Sequence, residues 1–410
     1  MIVKEYIKRF ERLEFGLFVH FGLYSVIGRG EWVIENCGYD IKEYEKIVGV
    51  FNPDKDWATD LAKTAKKSGC RYITLTTRHH DGFSLYDNSP LNTYDAPHAL
   101  CGRDLVREFV DACREYDLVP FFYHTLLDWH EKSYNENFKE YLKYLRDSIE
   151  ILCTRYGKIG GFWFDGMWNK PNEDWEEDAL YSLIRKYQPE AMIINNTGCS
   201  ARGALGHIEL DSVTFERGKP LPINLEGAPK YIASEMCQIF GEHWGYASLD
   251  YNFKSLASII CDYCSCRRFG SNLLINVGPM GNGKLRPLDT AMLTTLGEWI
   301  DRFSEATRGT RPAGIEVSSK NEDFILKGDG AYYLFCHKIP MAGSLNVVIN
   351  EEMADNFALS FDMPEKIKSI NWLDTGAPVE FTQDGNSVKI VNTKQPYGQN
   401  VVVRIARIKV

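Results

Sequence analysis

Between residue 15 and about residue 310, short apolar runs alternate with longer amphipathic ones, seven or so times over. Phe15-Gly16-Leu17-Phe18-Val19-His20 reads as a strand. Asp56 opens a helix through Trp57, Leu61 and Ala65, which Gly69 ends. The β-branched run Tyr72–Thr77 is a second strand, followed by a helix from Asp104 through Phe109 and Ala112. Strands at Leu118–Tyr123, Phe162–Asp165, Met192–Asn195, Tyr231–Met236 and Asn272–Val277 alternate with helices near 137–156, 176–187, 253–268 and 288–303. Strand-then-helix order repeated this often means parallel strands joined by right-handed crossovers. The count and length favour a closed (β/α)8-like, TIM-type barrel, and no glycine-rich phosphate loop follows the first strand to suggest a nucleotide fold.

The 410 residues leave room for a second, smaller domain. Thr307-Arg308-Gly309-Thr310-Arg311-Pro312-Ala313-Gly314 reads as a linker, which places the barrel at residues 1–311 and the smaller domain at 312–410. Beyond it come short strand-like runs at 332–335, 345–349, 357–361, 388–391 and 401–405, with hairpin turns at Asp329-Gly330 and Asp384-Gly385. This is the pattern of a small antiparallel β-sandwich.

A formal charge of -9 without a long basic run argues against nucleic acid or an anionic membrane as partner. No stretch has the length of a membrane span, and the first residues hold no apolar signal-peptide core. Eleven cysteines, mostly within apolar segments, fit reduced thiols, so a cytoplasmic location is expected. Cys261, Cys264 and Cys266 share a helical pattern with no second ligand pair nearby and read as packing residues.

His20, His79-His80, His124, Asp165 and Asn195 each fall at or just past the carboxyl end of a different strand, and in a barrel those ends meet at the face that carries active sites. The segment Gly160-Gly161-Phe162-Trp163-Phe164-Asp165-Gly166 ends an aromatic strand in one acid, followed at once by a glycine. Aromatic neighbours give flat surface for a sugar ring and lower the dielectric around the acid. Further carboxylates follow at Glu209, Glu216 and Glu235. Two carboxyl groups facing one another across a cleft are what glycosidic bond cleavage requires.

The chain resembles the α-L-fucosidases of glycoside hydrolase family 29. The resemblance lies in Phe15–Ser25, Glu31-Trp32, Tyr72–Phe83 with its His79-His80-Asp81-Gly82-Phe83, Tyr123–Trp129, Trp163–Gly166, Trp244-Gly245-Tyr246 and Leu274–Pro279. It implies a retaining exo-glycosidase that releases terminal α-linked L-fucose from a fucosylated oligosaccharide or glycoconjugate. It further implies Asp165 as nucleophile, and His20, Glu31, Trp32, His79, His80, His124 and Trp163 as the residues that hold the fucose. Glu216 is the matching acid/base, in a stretch taken as a loop, with Phe215 where the family has proline; Glu209 and Glu235 are its rivals. Asn195-Asn196-Thr197-Gly198 departs from the family's Asn-Asp-Arg-Trp, so a substrate-binding arginine is either missing there or replaced by Arg202 or Arg217.

Two other functions fit parts of the pattern. A metal-dependent barrel hydrolase also uses histidines and an aspartate at strand ends. Here, however, His79 and His80 are adjacent and would point to opposite sides of a regular strand. Bringing both into one pocket requires an irregular backbone there. A non-catalytic fucose-binding protein has no need of an acid beneath the anomeric carbon. No metal and no cofactor is expected.

Overall fold

A computed structural model describes residues 2–197, 202–226, 228–341, 358–391 and 393–410. Eight parallel strands close into a barrel in sequence order: β1 (Phe15–Val19), β2 (Tyr72–Arg78), β3 (Val119–Thr125), β4 (Gly161–Asp165), β5 (Met192–Asn195), β6 (Ser212–Glu216), β7 (Ala233–Ile239) and β8 (Asn272–Val277). β8 closes the ring onto β1, pairing Gly16 with Leu274 and Phe18 with Asn276.

Side chains on alternate positions fill the interior. Phe18, Tyr72, Phe121, Tyr123, Trp163, Met192, Ile194, Ala233, Cys237 and Leu274 form one buried cluster, which also takes in Ile7 and Phe10. Those two come from the helix Glu5–Glu11, which precedes β1. So much aromatic volume inside a barrel needs small residues opposite. A Cβ on Gly16 would stand 2.4 Å from the Tyr72 ring, so β1 carries a glycine where β2 sends a tyrosine across.

Long helices occupy the crossovers after β1 (Trp57–Lys67), β2 (Leu105–Glu115), β3 (Phe138–Arg155), β4 (Glu177–Tyr187) and β7 (Leu256–Phe269). Asp104 and Asn137 cap their helices by accepting the N–H of Arg107 and Glu140. Asp56 stands at its expected place but makes no side-chain capping bond. Between β5 and β6, and between β6 and β7, the described residues hold no α-helix. That explains the one barrel strand missing from the sequence reading. Ser212–Glu216 has no flanking α-helix among the described residues, so strand–helix alternation gives no signal there, and the expected loop is β6.

The chain divides into two compact units, Met1–Lys254 with Ser271–Thr294, and Ser255–Gly270 with Thr295–Val410. The second holds two antiparallel sheets. One has the order β10 (Val317–Ser319), β13 (Ala358–Asp362), β16 (Ser387–Val391), β15 (Phe381–Asp384). The other runs β14 (Ser369–Trp372), β17 (Val403–Lys409), β12 (Ala331–His337), β11 (Phe324–Gly328), β9 (Arg311–Pro312). Leu359, Phe361, Val388 and Ile390 of the first sheet share a core with Leu334, Ile370, Trp372, Ala406 and Ile408 of the second, which makes the pair a sandwich. Gly330 and Gly385 take positive φ in the expected hairpin turns. The strand read at 345–349 lies outside the described residues.

Candidate active site

The carboxyl ends of β1 to β6, with Trp32 and Trp244 from nearby segments, enclose a cavity of about 430 Å³, open mouth included. His20, Trp32, His79, His80, Trp163, Asp165 and Glu216 line it, together with Phe18, Tyr123, Trp168, Asn196 and Trp244.

The two adjacent histidines reach one pocket because β2 is irregular. Its register against β3 shifts between Thr76 and Arg78, and past this bulge both rings turn inward with centroids 4.2 Å apart. Each ring then has a fixed neighbour. His79 lies parallel to Tyr123 at 5.6 Å, and His20 packs on Trp244 at 5.2 Å. His20 Nδ1 meets Asn276 Oδ1 at 2.7 Å. Burial holds all three histidines far below the ordinary imidazole range, His20 and His80 down to about 3. Each is therefore a neutral ring with one donor and one acceptor, the equipment for meeting a hydroxyl group.

The acceptor of His80 can be assigned. Thr125 donates its hydroxyl to the Leu127 carbonyl, so it accepts from His80 Nδ1 at 2.7 Å. Nε2 then presents a lone pair, 3.6 Å from Asp165 Oδ2.

Asp165 ends β4. Gly166 follows at φ 102°, where a Cβ would lie 2.7 Å from the Leu127 backbone, so only glycine lets the chain turn there. Oδ2 accepts from the Tyr123 hydroxyl at 3.1 Å; Oδ1 accepts from Asn196 Nδ2 at 3.2 Å and Trp168 Nε1 at 3.4 Å. Burial raises the Asp165 pKa, and these donors oppose the shift. Asn196 Nδ2 also donates to Glu216 Oε2 at 2.6 Å. One nitrogen touching both acids keeps the facing oxygens within about 6 Å of each other, near the ~5–5.5 Å carboxyl spacing of retaining glycosidases and short of the ~6.5–9.5 Å of inverting ones.

Four expected residues do not line the cavity. His124 faces outward because Tyr123, its neighbour on β3, faces inward; its ring meets Tyr86 and the Thr125 carbonyl. Glu31 is buried beside the site and accepts the Gly245 N–H at 2.7 Å, anchoring the segment that carries Trp244. Glu209 stands 3.7 Å from Arg185. Glu235 lies among the interior side chains, accepting from Tyr72 and, at 2.9 Å, from Trp163 Nε1; burial pushes it up to about 7. Of the two alternatives for the arginine, the structure favours its being missing, since neither Arg202 nor Arg217 lines the cavity. Arg217 pairs with Glu242, and Arg202 lies against Gly218. Gly198 of the divergent motif lies outside the described residues. The reading by strand ends missed Tyr123 and Asn196, although alternation along β3 carried the signal for the first.

Residues 3–305 match the family model described as Alpha-L-fucosidase. The chain is 26% identical over 376 residues to the tissue alpha-L-fucosidase of Bos taurus, covering 83% of this chain and 76% of that protein. It is 23% identical over 418 residues to an alpha-L-fucosidase of Dictyostelium discoideum, covering 93% and 88%. Alpha-L-fucosidase isoenzyme 1 from Paenibacillus thiaminolyticus superposes with a TM-score of 0.79 at 27% identity, over 99% of this chain and 98% of that one. The fold is also that of a Bacteroides thetaiotaomicron GH29 alpha-L-fucosidase, solved as a covalent intermediate trapped with 2-fluoro-fucosyl fluoride (TM-score 0.79, 23% identity, 99% and 96% covered).

Proposed function

The chain belongs to the α-L-fucosidase family of glycoside hydrolases, and on that footing we propose that it releases terminal α-linked L-fucose with retention, through a covalent fucosyl-enzyme intermediate. Asp165 is the nucleophile and Glu216 the acid/base. The observation that carries this reading is the single amide nitrogen of Asn196 in contact with both carboxylates, which supports the short spacing that retention needs.

In the first step an Asp165 oxygen attacks the anomeric carbon while Glu216 delivers its proton to the departing oxygen. Glu216 then takes a proton from water as that water attacks the same carbon, and fucose leaves with its configuration kept. The neutral histidines read the sugar's hydroxyls. Two acceptors, His80 Nε2 and Asp165 Oδ2, face each other at 3.6 Å, an arrangement that calls for a hydroxyl donor near them. Phe18, Trp163 and Trp244 supply apolar surface for the ring.

The test separates acid from nucleophile through the leaving group. Glu216→Ala should cripple hydrolysis of natural fucosides by about 10²–10⁴-fold yet spare the first step on a fucoside of an acidic phenol, which needs no proton. Azide should then speed turnover and yield a fucosyl azide. Rescue of Glu209→Ala instead would move the assignment, and a wild-type protein inert on every α-L-fucoside would favour the binding-protein reading.

A further inference from the structure

We infer that Asn196 is a positioning residue whose amide holds the two reacting carboxylates in place and follows the negative charge from one to the other during turnover. The inference rests on the roles given above to Asp165 and Glu216.

Asn196 is tied at three points. Its backbone N–H donates to the Phe164 carbonyl at 2.8 Å, one residue before Asp165 on β4. Its Oδ1 accepts from Thr214 Oγ1 at 3.0 Å, two residues before Glu216 on β6. Its Nδ2 donates at 3.2 Å to Asp165 Oδ1 and at 2.6 Å to Glu216 Oε2. The threonine fixes which way the amide faces. A flip would lose the Thr214 bond and turn an oxygen onto two acids. Only 3% exposed, the residue is a clamp between two barrel strands at the level where both end.

The clamp matters because the charge moves. Before attack Asp165 is the anion and Glu216 carries the proton. Once the fucosyl ester forms, Asp165 is neutral and Glu216 is the anion that must receive a proton from water. A hydrogen bond to an ionised acceptor is roughly twice as strong as one to a neutral acceptor. With one N–H on each acid, the amide stabilises whichever is ionised without rotating. In the intermediate it therefore donates to the carboxylate of Glu216, the group that serves as base. Among the described residues lining the cavity, the other titratable groups are Tyr123 from β3, His79 and His80 beyond β2, and His20 beyond β1. Burial holds the tyrosine far above neutral pH and the histidines far below it, so none titrates in the working range.

The experiment follows both half-reactions by rapid mixing with an aryl α-L-fucoside of an acidic phenol, using the full chain. In Asn196→Ala the phenol should appear in a burst of about one equivalent, followed by a steady rate roughly 10–100-fold below wild type. The acid limb of that steady rate should move up, because the base has lost a hydrogen-bond donor that favours its charged form. Azide, which needs no base, should restore the steady rate. Asn196→Asp has the same shape and guards against a folding failure; its added negative charge should move the limb up further. A proportional loss of burst and steady rate with an unmoved pH limb would mean a merely structural residue and overturn the inference, as would wild-type kinetics in both variants. Asp165→Asn and Glu216→Ala run beside them: normal activity in either breaks the underlying assignment, whereas their expected defects beside unaffected Asn196 variants break this inference alone.

Discussion

The two halves of the pocket rim are built differently. Past β1 and β2 the side chains proposed to meet the sugar are rings packed on other rings, and His20, His79 and His80 are at most 4% exposed. At the ends of β4 to β6 the proposed reacting groups are carboxylates steered by donors, and Asp165 keeps 16% side-chain exposure. Long helices back every crossover of the first half; the crossovers after β5 and β6 have none among the described residues. On this proposal recognition stands on dry framework, and reaction stands at the wetter edge, where the second substrate is water. A ring that reads hydroxyls gains from being immobile and neutral, whereas a base that deprotonates water must meet it.

The largest expected effect falls on the wetter half. Asp165→Asn should lower turnover of an aryl α-L-fucoside by at least about 10⁴-fold while fucose still binds, as loss of a covalent nucleophile does. Retention of more than a few per cent of activity would remove the division of labour altogether. On the dry half, His79→Phe keeps the ring packing but takes away a hydroxyl partner. It should lower kcat/KM by about 10–1,000-fold without shifting either limb of the pH profile, because burial keeps the histidines neutral from well below pH 5 upward. A limb near 6.5 that vanishes with His79 or His80 would show a titrating histidine and blur the comparison. Prolonged chelation should change nothing, since the rings are read as partners of hydroxyls; activity lost and then restored by zinc would recast the dry half as a metal site.

The smallest effect on activity should come from Glu235, once a rival acid. It does not line the cavity, so Glu235→Gln should leave kcat/KM within about threefold of wild type. Its signature should be in stability. A carboxyl raised by burial from 4.5 to about 7 favours the fold below its unfolded value. That advantage is lost as pH rises through about 7, by an amount on the order of 3 kcal/mol. Melting of the wild type should therefore soften between pH 5 and 8, and the variant should flatten that slope. An unchanged slope would mean that Glu235 is ionised across the whole range.

The same contrast governs how much could be read from the chain alone. The dry half was legible because paired histidines, an aromatic strand and helical crossovers all leave local patterns. Asp165 was legible for the same reason, standing at the end of Phe162-Trp163-Phe164 with Gly166 behind it. β6 was not, because five residues of alternating character without a neighbouring helix resemble any surface stretch, and Glu216 was consequently placed on a loop. His124 was assigned inward from its position near a strand end, when the parity set by Tyr123 points it out. Asn196 carries no signal in isolation. Its importance lies in two acids and a threonine brought to it from two strands, β4 and β6.

The crossovers after β5 and β6, without an α-helix among the described residues, also bear on how such a scaffold can diversify. Lengthening a crossover that carries a helix displaces a face already seated on the barrel. Where there is no such face, the added length costs mainly loop closure, about 0.6 kcal/mol for each doubling. Both connections leave from the strand ends that present Asn196 and Glu216 at the cavity. Exchanging them between homologues should change the ranking of fucosylated glycans as substrates more than the affinity for free fucose.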